Sequence, residues 1–513
     1  MLPVSKSATI TQADQRTIPF PVKGWVTNAP ITGMPPDSAL RLQNWIVRPD
    51  GLHLRDGLAK HVTGIGGAIK SLIPFGSKLF AGYGGSLLDV STATDFPAAP
   101  LFSMHADDWQ GVTLANDGGP RLVVMNSSPL DSAHWYDGAT WRGCDITGVD
   151  GRNLICPLHH VRRLFAIERE TATVWYLPPK SVQGKAAPIF FAPHLTKGGN
   201  LVAIAAISGD ASKDAQDQLV AVSANGEVVI YAGNDPDNAQ TWQHVGTWSV
   251  PKLVGAKPFI QMGGSLGLMT VDGLIDVPGG LPNPDAKKVI AAHTTPIYQA
   301  WFDAVASRAT GEIWEGVDVL GAGLMVINCT RGNQPARQLV LCNNAWSEFT
   351  GIDATSVAQT TDGLFFGMND GTVVKYTGNT DYDAENDTEV PVRGVVAHAY
   401  NKLGSANRKF ATRGRLQMTA PQPYRAYTRL ISDYRATSTD VAARWIANRH
   451  WYWDEISWPM QPADWEREST PAQRQWRSMT GSGQNFSLLL AVAANCPVIY
   501  TGTDIMFQKG GPL

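Results

Sequence analysis

Short runs of alternating apolar and polar positions, separated by tight-turn dipeptides, fill most of this 513-residue chain. Between Val220 and Ala232, Val220, Val222 and Ala224 form one run and Val228, Ile230 and Ala232 a second, with Asn225-Gly226 between them. That arrangement predicts a β-hairpin with both turn residues at positive φ. Asp-Gly or Asn-Gly begins at positions 50, 56, 117, 137, 150, 225, 272, 362 and 370, and at none of the last 142. Several join strand-like runs: His134–Tyr136 to Ala139–Trp141, and the runs on either side of Asp272-Gly273. Little of this region has helical periodicity. Short strands at regular spacing with turn signals predict an all-β sandwich, barrel or propeller.

A propeller fits the spacing best. The 327 residues from His61 to Asp387, at about 40–50 residues per four-stranded blade, make six to eight blades, or six with generous loops. Trp141, Trp242 and Trp346 stand in similar local sequences, 101 and 104 residues apart, which is about two blades each time. No WD or kelch signature accompanies them, so the blades are divergent. The expected fold is therefore all-β: a divergent β-propeller of about six blades over 61–388, an N-terminal segment over 1–60 and a C-terminal β segment over 389–513.

The flanking segments have a different pattern. Asp37 stands as an N-cap before Ser38 to Ile46, which predicts a short helix. Residues 378–390 alternate five acids with small and polar residues and are expected to form a solvated linker at a domain boundary. An EF-hand loop starting at Asp381 needs glycine at its sixth position and glutamate at its twelfth. Asn386 and Val392 stand there, so a calcium loop is not expected.

Beyond the acidic stretch the charge inverts. Residues 391–450 hold eleven Lys and Arg against Asp433 and Asp440, a net +9 in a chain whose total is −3. Lys402, Arg408, Lys409, Arg413, Arg415, Arg425 and Arg429 are the candidate contact residues for DNA or an acidic partner. The alternative is a solvated strand face. Six Trp follow between Trp445 and Trp476, which suits a subunit interface and a sandwich core equally.

Composition narrows the function classes. Apolar residues make up 43% and charged residues 17%, which excludes a disordered chain. The apolar runs at 201–207 and 488–494 are far shorter than a membrane span. No cationic and apolar leader follows Met1, so no signal peptide is expected. Five widely spaced Cys with no CxxC predict reduced thiols, although Cys329 and Cys342 are placed to pair if they lie on neighbouring strands.

Candidate chemistry is sparse. Gly263 to Gly267 matches the GxSxG nucleophile elbow, but that elbow needs a helix after the Ser. Leu266–Val271 has strand character, so Ser265 is expected in a hairpin loop. Cys156 and His159 have a spacing zinc tolerates, with no second pair to complete four ligands, so a sheet position is expected. No phosphate loop and no HExxH occur. We expect no enzyme, no catalytic residues, no metal and no cofactor.

The N-terminal stretch resembles the opening of the tail nozzle proteins of short-tailed bacteriophages, also called tail tubular protein B or tail hub proteins. The resemblance lies in Gly24 and Asn28, in Pro36-Asp37 with Ala39 and Leu40, in Asn44-Trp45, and in Gly51, Arg55 and Gly57. Residues 226–252, 263–278 and the closing stretch from Gln475 to Gly511 are similar to the same family. The resemblance implies a structural virion protein of the phage tail, made in the host cytoplasm. It implies a homo-hexameric ring below the portal and the adaptor, or head-to-tail connector. N- and C-terminal segments would share a β platform, and a channel would retain and eject the genome. Implied partners are the adaptor ring, tail fibres or a tail needle, and genomic DNA in passing. Most of the basic candidates are then expected at subunit contacts or against the adaptor, a minority in the bore, with Arg413 and Arg415 foremost at the adaptor. The competing reading is a phage tail adhesin or polysaccharide depolymerase built on a propeller. A cellular propeller scaffold is a third reading, and it leaves the N-terminal pattern unexplained.

Overall fold

The computed structural model describes residues 13–95, 100–207, 217–277, 292–309, 311–319, 321–332, 334–434, 446–447 and 476–510. The Trp-rich stretch lies outside them except for Trp476. The chain divides into two compact units. The first comprises 1–58, 341–349 and 378–513, and the second 59–340 and 350–377. Both are built almost wholly of strands, and Tyr298–Ala306 is the one α-helix among the described residues.

In chain order the second unit contains seven antiparallel strand groups, the first five of them separate sheets of three or four strands and the last two parts of one fourteen-stranded sheet. They begin at Ser71, Gln110, Leu154, Leu201, Phe259, Glu315 and Ala354. Each packs a face on the next. Ile73, Phe80 and Leu87 of the first meet Trp109, Leu122 and Val124 of the second. Leu114 and Val123 then meet Leu164 and Ala166, Phe165 meets Leu219 and Val229, and Val220 and Ile230 meet Leu266 and Ile275. Gly316 of the sixth group leaves room for Ile260 of the fifth, since a Cβ there would stand 2.2 Å from that side chain. Asn328 donates to the Ala354 carbonyl at 3.0 Å, joining sixth to seventh. Phe365 and Val373 of the seventh share a core with Leu72 and Leu79 of the first. The strand Leu58–Val62, where the chain enters this unit, adds to the seventh group.

Turn chemistry sets these hairpins. Gly138, Gly273, Gly363 and Gly371 take positive φ directly after their Asp, a conformation glycine adopts without steric cost. The Asn225-Gly226 hairpin forms in register, Val222 opposite Val228, but by another turn. Only Gly226 has positive φ, at +78°, and its N–H closes on the Ser223 carbonyl at 3.1 Å. The Asn225 amide is used elsewhere, donating to the Lys197 and Gly198 carbonyls.

The first unit is a sandwich of two sheets. Its strands are β1 (Asp14–Pro19), β2 (Ala39–Gln43), β3 (Trp45–Arg48), β4 (Gly51–Leu54), β5 (Ala345–Phe349), β6 (Thr380–Asp383), β7 (Thr388–His398), β8 (Lys409–Thr419), β9 (Arg425–Ser432), β10 (Arg477–Gly483), β11 (Phe486–Ala494) and β12 (Ile499–Lys509). One sheet runs β3-β4-β12-β8-β10, with β1 beside β12. The other runs β5-β2-β7-β11-β9, with β6 beside β7. Phe486 and Leu488 of the second sheet pack on Ile18, Ala411, Met479, Ile505 and Phe507 of the first.

Two expectations fail here. Residues 38–46 form β2 and β3, not a helix. Leu42 is fully buried between β5 and β7, and such pairing outweighs a weak local helix signal. Asn44 turns the chain between the two strands at φ +60°. The acidic stretch is not a loose linker either. β6 and β7 pair as a hairpin, Thr380 opposite Pro391.

That hairpin is anchored by a buried ion pair. The Arg55 guanidinium, with none of its side chain exposed, meets Asp381 bidentately at 2.8 and 2.7 Å. Its Nε donates to Asn44 Oδ1 at 3.1 Å, and Nη1 also donates to the Asp56 carbonyl. Gly57 follows because a Cβ there would stand 2.0 Å from the Thr380 carbonyl. Removing one partner strands a buried charge. Arg55→Ala should therefore cost about 3–5 kcal/mol, read from denaturant midpoints of the first unit. A loss under about 1 kcal/mol would show that water replaces the guanidinium.

Candidate functional site

The decoy chemistry of the second unit is structural. Ser265 opens a strand opposite Met262, and its hydroxyl donates to the Met262 carbonyl at 3.3 Å. Cys156 and His159 lie on one strand, Leu154–His160. Burial pushes the Cys156 thiol up and the His159 imidazole down. Cys329 and Cys342 are free thiols, as are the other three. Among the described residues no three His, Cys, Asp or Glu side chains converge on a metal position. The apolar cavity between Met125, Leu164 and Trp175 measures about 10 Å³, room for about one water at most.

Positive charge gathers on the first unit instead, though not all where the candidates stand. Lys409 is fully buried on β8, and its ammonium donates to the Ser405 and Asn407 carbonyls at 2.7 and 2.8 Å. Burial lowers its pKa. It closes a loop and offers nothing to a partner. Arg413 and Arg415 do share a face of β8. Arg413 is exposed, but Arg415 is committed. Its Nε and Nη2 donate to Asp504 at 3.0 and 2.6 Å, while Thr17 and Gln417 donate to the other oxygen. Arg408 is exposed, with Nε on the Ser482 hydroxyl. Lys402 is exposed in the loop between β7 and β8.

Arg425 and Arg429 belong to a larger arrangement. Cross-strand partners in a sheet carry their side chains on one face. The register places Arg393, Ala493 and Arg425 in one row across β7, β11 and β9. Gln43, Val395, Ala491 and Tyr427 form the next, and Arg41, Ala397, Leu489 and Arg429 the third. The alternate positions, Leu42, Val396, Leu490 and Val492, are fully buried in the sandwich core. This face of the sheet thus carries four arginines and a tyrosine around Ala397, Leu489, Ala491 and Ala493, which are buried. Arg393, Arg425 and Arg429 are exposed, and Arg41 and Tyr427 half-buried. Beside Gln43, Glu348 of β5 is buried and accepts from the Gln43 amide at 2.7 Å.

The sequence candidates omit Arg41 and Arg393. Arg41 stands in the stretch expected to be helical. Its signal is the alternation Arg41, Leu42, Gln43, polar on either side of a core residue. Arg393 has the same pattern with Val392 and Gly394, but only pairing with β11 brings the two arginines onto one face.

These features define a nearly all-β chain with a two-sheet unit bearing arginines on one face and a unit of small antiparallel sheets. No family model matches the sequence, and no curated protein matches it. Among solved structures, the computationally designed Ika8 protein is similar at TM-score 0.35 and 11% identity, covering 62% of this chain and 99% of that one. The extracellular domain of a one component system from B. thetaiotaomicron is similar at TM-score 0.40 and 10% identity, over 73% and 56%. Raptor of Chaetomium thermophilum is similar at TM-score 0.39 and 10% identity, over 66% and 29%.

Asp504 offers a pH test. Burial raises its pKa, but the hydrogen bonds from Thr17, Arg415 and Gln417 outweigh this and hold it below the usual carboxylate value. A group depressed in the folded state stabilises above its unfolded pKa, about 3.9, and loses that contribution as pH falls through the folded value. Asp504→Asn should cost about 1.5–3 kcal/mol at pH 7 and flatten the fall in stability below pH 4. An unchanged acid limb would assign it to other carboxylates.

Proposed function

We propose that this chain is a structural protein of a short-tailed bacteriophage tail, a nozzle subunit that forms a ring through which the genome is retained and released. The observation that carries the reading is the pattern from Gly24 to Gly57, each of whose key residues has a defined task in the first unit. Gly24, at φ +66°, passes so close to Trp346 that a Cβ would stand 2.6 Å from its carbonyl. Asn44 joins β2 to β3 and donates to the Arg393 carbonyl at 2.7 Å. Arg55 and Gly57 fix the acidic hairpin.

Two further features support it. Residues 1–58 and 378–513 fold into one unit, as a platform shared by the two ends of a chain requires. Seven strand groups packed in order, the seventh against the first, support a closed β-propeller of seven blades. Closure protects sheet edges, which suits a particle that must not aggregate through them. In this reading the propeller is rigid wall and docking surface. Lys402, Arg408 and Arg413 are the candidate contacts with the adaptor ring or the passing DNA.

Image averages of tails containing this chain should show six-fold symmetry for its density. Three-fold or twelve-fold averages would sink the proposal. The purified chain should hydrolyse neither polysaccharide nor peptidoglycan nor DNA. Turnover abolished by changing one Asp or Glu would favour a depolymerase instead.

A further inference from the structure

A polar joint crosses the core of the first unit. His398 ends β7 and Tyr500 stands on β12, strands of opposite sheets. The imidazole Nε2 and the Tyr500 hydroxyl are 3.0 Å apart, and that hydroxyl lies 2.9 Å from Thr503 Oγ1. His398, Tyr500 and Thr503 are all fully buried. The backbone beside them is pinned as well. The Ser487 hydroxyl of β11 donates to the His398 carbonyl at 2.6 Å, and the Ala399 N–H donates to the Ser38 carbonyl at 2.9 Å.

This joint accommodates a neutral imidazole and not a charged one. One ring proton, or none on Nε2, is enough for the bond to Tyr500. The other ring nitrogen, Nδ1, is buried and has no hydrogen-bond partner among the described residues. An imidazolium donates from both nitrogens, so its second proton would point into the core at no acceptor. A buried charge also needs a counter-charge, and the surrounding strands offer none. On β12, burial holds the Tyr500 phenol neutral, and Asp504 is taken by Thr17, Arg415 and Gln417. β11 contains no charged residue. Arg41 on β2, Arg48 on β3 and Arg393 on β7 have the wrong sign. His53 of β4, the strand beside Tyr500, is bonded to Asp50. Glu389, the one acid of β7, stands about 30 Å away along the strand. Burial alone accordingly pushes the His398 imidazole down to about 3.

We propose that the His398–Tyr500 joint is an acid-sensitive latch between the two sheets of the first unit, closed while the imidazole is neutral and released in mild acid. Opening the sandwich returns the imidazole to water, where it titrates near pH 6.5. Above that pH neither state takes the proton and the latch holds in full. Below it the opened state binds one proton that the closed state refuses. Opening then becomes about tenfold easier per pH unit, down to the closed state's own value. Asp504 acts in a lower window, beneath about pH 3.9, so the two groups are separable. The latch needs neither a second copy nor a nozzle.

Hydrogen exchange of the full chain tests it, read by mass spectrometry in peptides from β7, β11 and β12 and corrected for the intrinsic pH dependence of amide exchange. Between about pH 6.5 and about pH 4.5 the opening constant of these strands should rise about 100-fold. In His398→Gln, which keeps an amide for Tyr500 but takes up no proton, the rise should fall to about threefold or less. His398→Phe, which fills the same place without a titrating group, should behave alike and serves where the amide variant does not fold. A wild-type rise of about threefold or less would overturn the proposal. So would a rise of wild-type size in either folded variant, which would assign the acid response to other groups.

Discussion

The first unit depends on one buried charge. Arg55 has no solvent, so each of its donors must find a protein oxygen or cost several kcal/mol. Asp381, Asn44 and the Asp56 carbonyl supply them. Those partners come from three separate places: the turn between β2 and β3, the segment after β4, and the hairpin more than 320 residues later. Satisfying this one guanidinium therefore places a remote segment of chain against the N-terminal strands. The close approach of Gly57 to Thr380 follows from the same geometry.

Once β7 is held at its start by that clamp, its register along β2 and β11 decides what the unit shows to solvent. A one-residue slip would exchange the two faces. On β7 it would bury Arg393 and expose Val392 and Val396. The cost of burying a guanidinium and exposing two core valines favours the observed register. Arg393 is thus a register device whatever it binds. Arg415 and Lys409 show the contrast, since both are consumed internally, by Asp504 and by loop carbonyls.

The second unit uses repetition in place of a clamp. Each small sheet has two apolar faces and cannot bury both alone. Packing in order covers the faces that meet, and the group from Ala354 shares a core with the sheet from Ser71. Fit is local: Gly316 exists to admit Ile260. Trp141 begins the last strand of the second sheet and Trp242 directly precedes that of the fourth, but Trp346, expected two blades further on, lies on β5 of the first unit, so the spacing does not mark a repeat there.

The all-β class, the strands and most turns were legible in the sequence, because alternation and Asp-Gly are local signals with local causes. Asp272-Gly273 turns a hairpin wherever it occurs. Residues 38–46 were not legible. Their helix signal is weak and local, and the pairing that overrides it comes from β5 and β7, some 300 and 350 residues away. The basic block was visible as a count of charges, but not as a face. Which arginines stand together depends on cross-strand register, and register joins Arg41 to Arg429 through two intervening strands. The tertiary structure alone decided that Lys409 and Arg415 are spent inside the unit while Arg393 and Arg425 face out. Burial and partner choice are properties of the packed sheet, and no stretch of sequence contains them by itself.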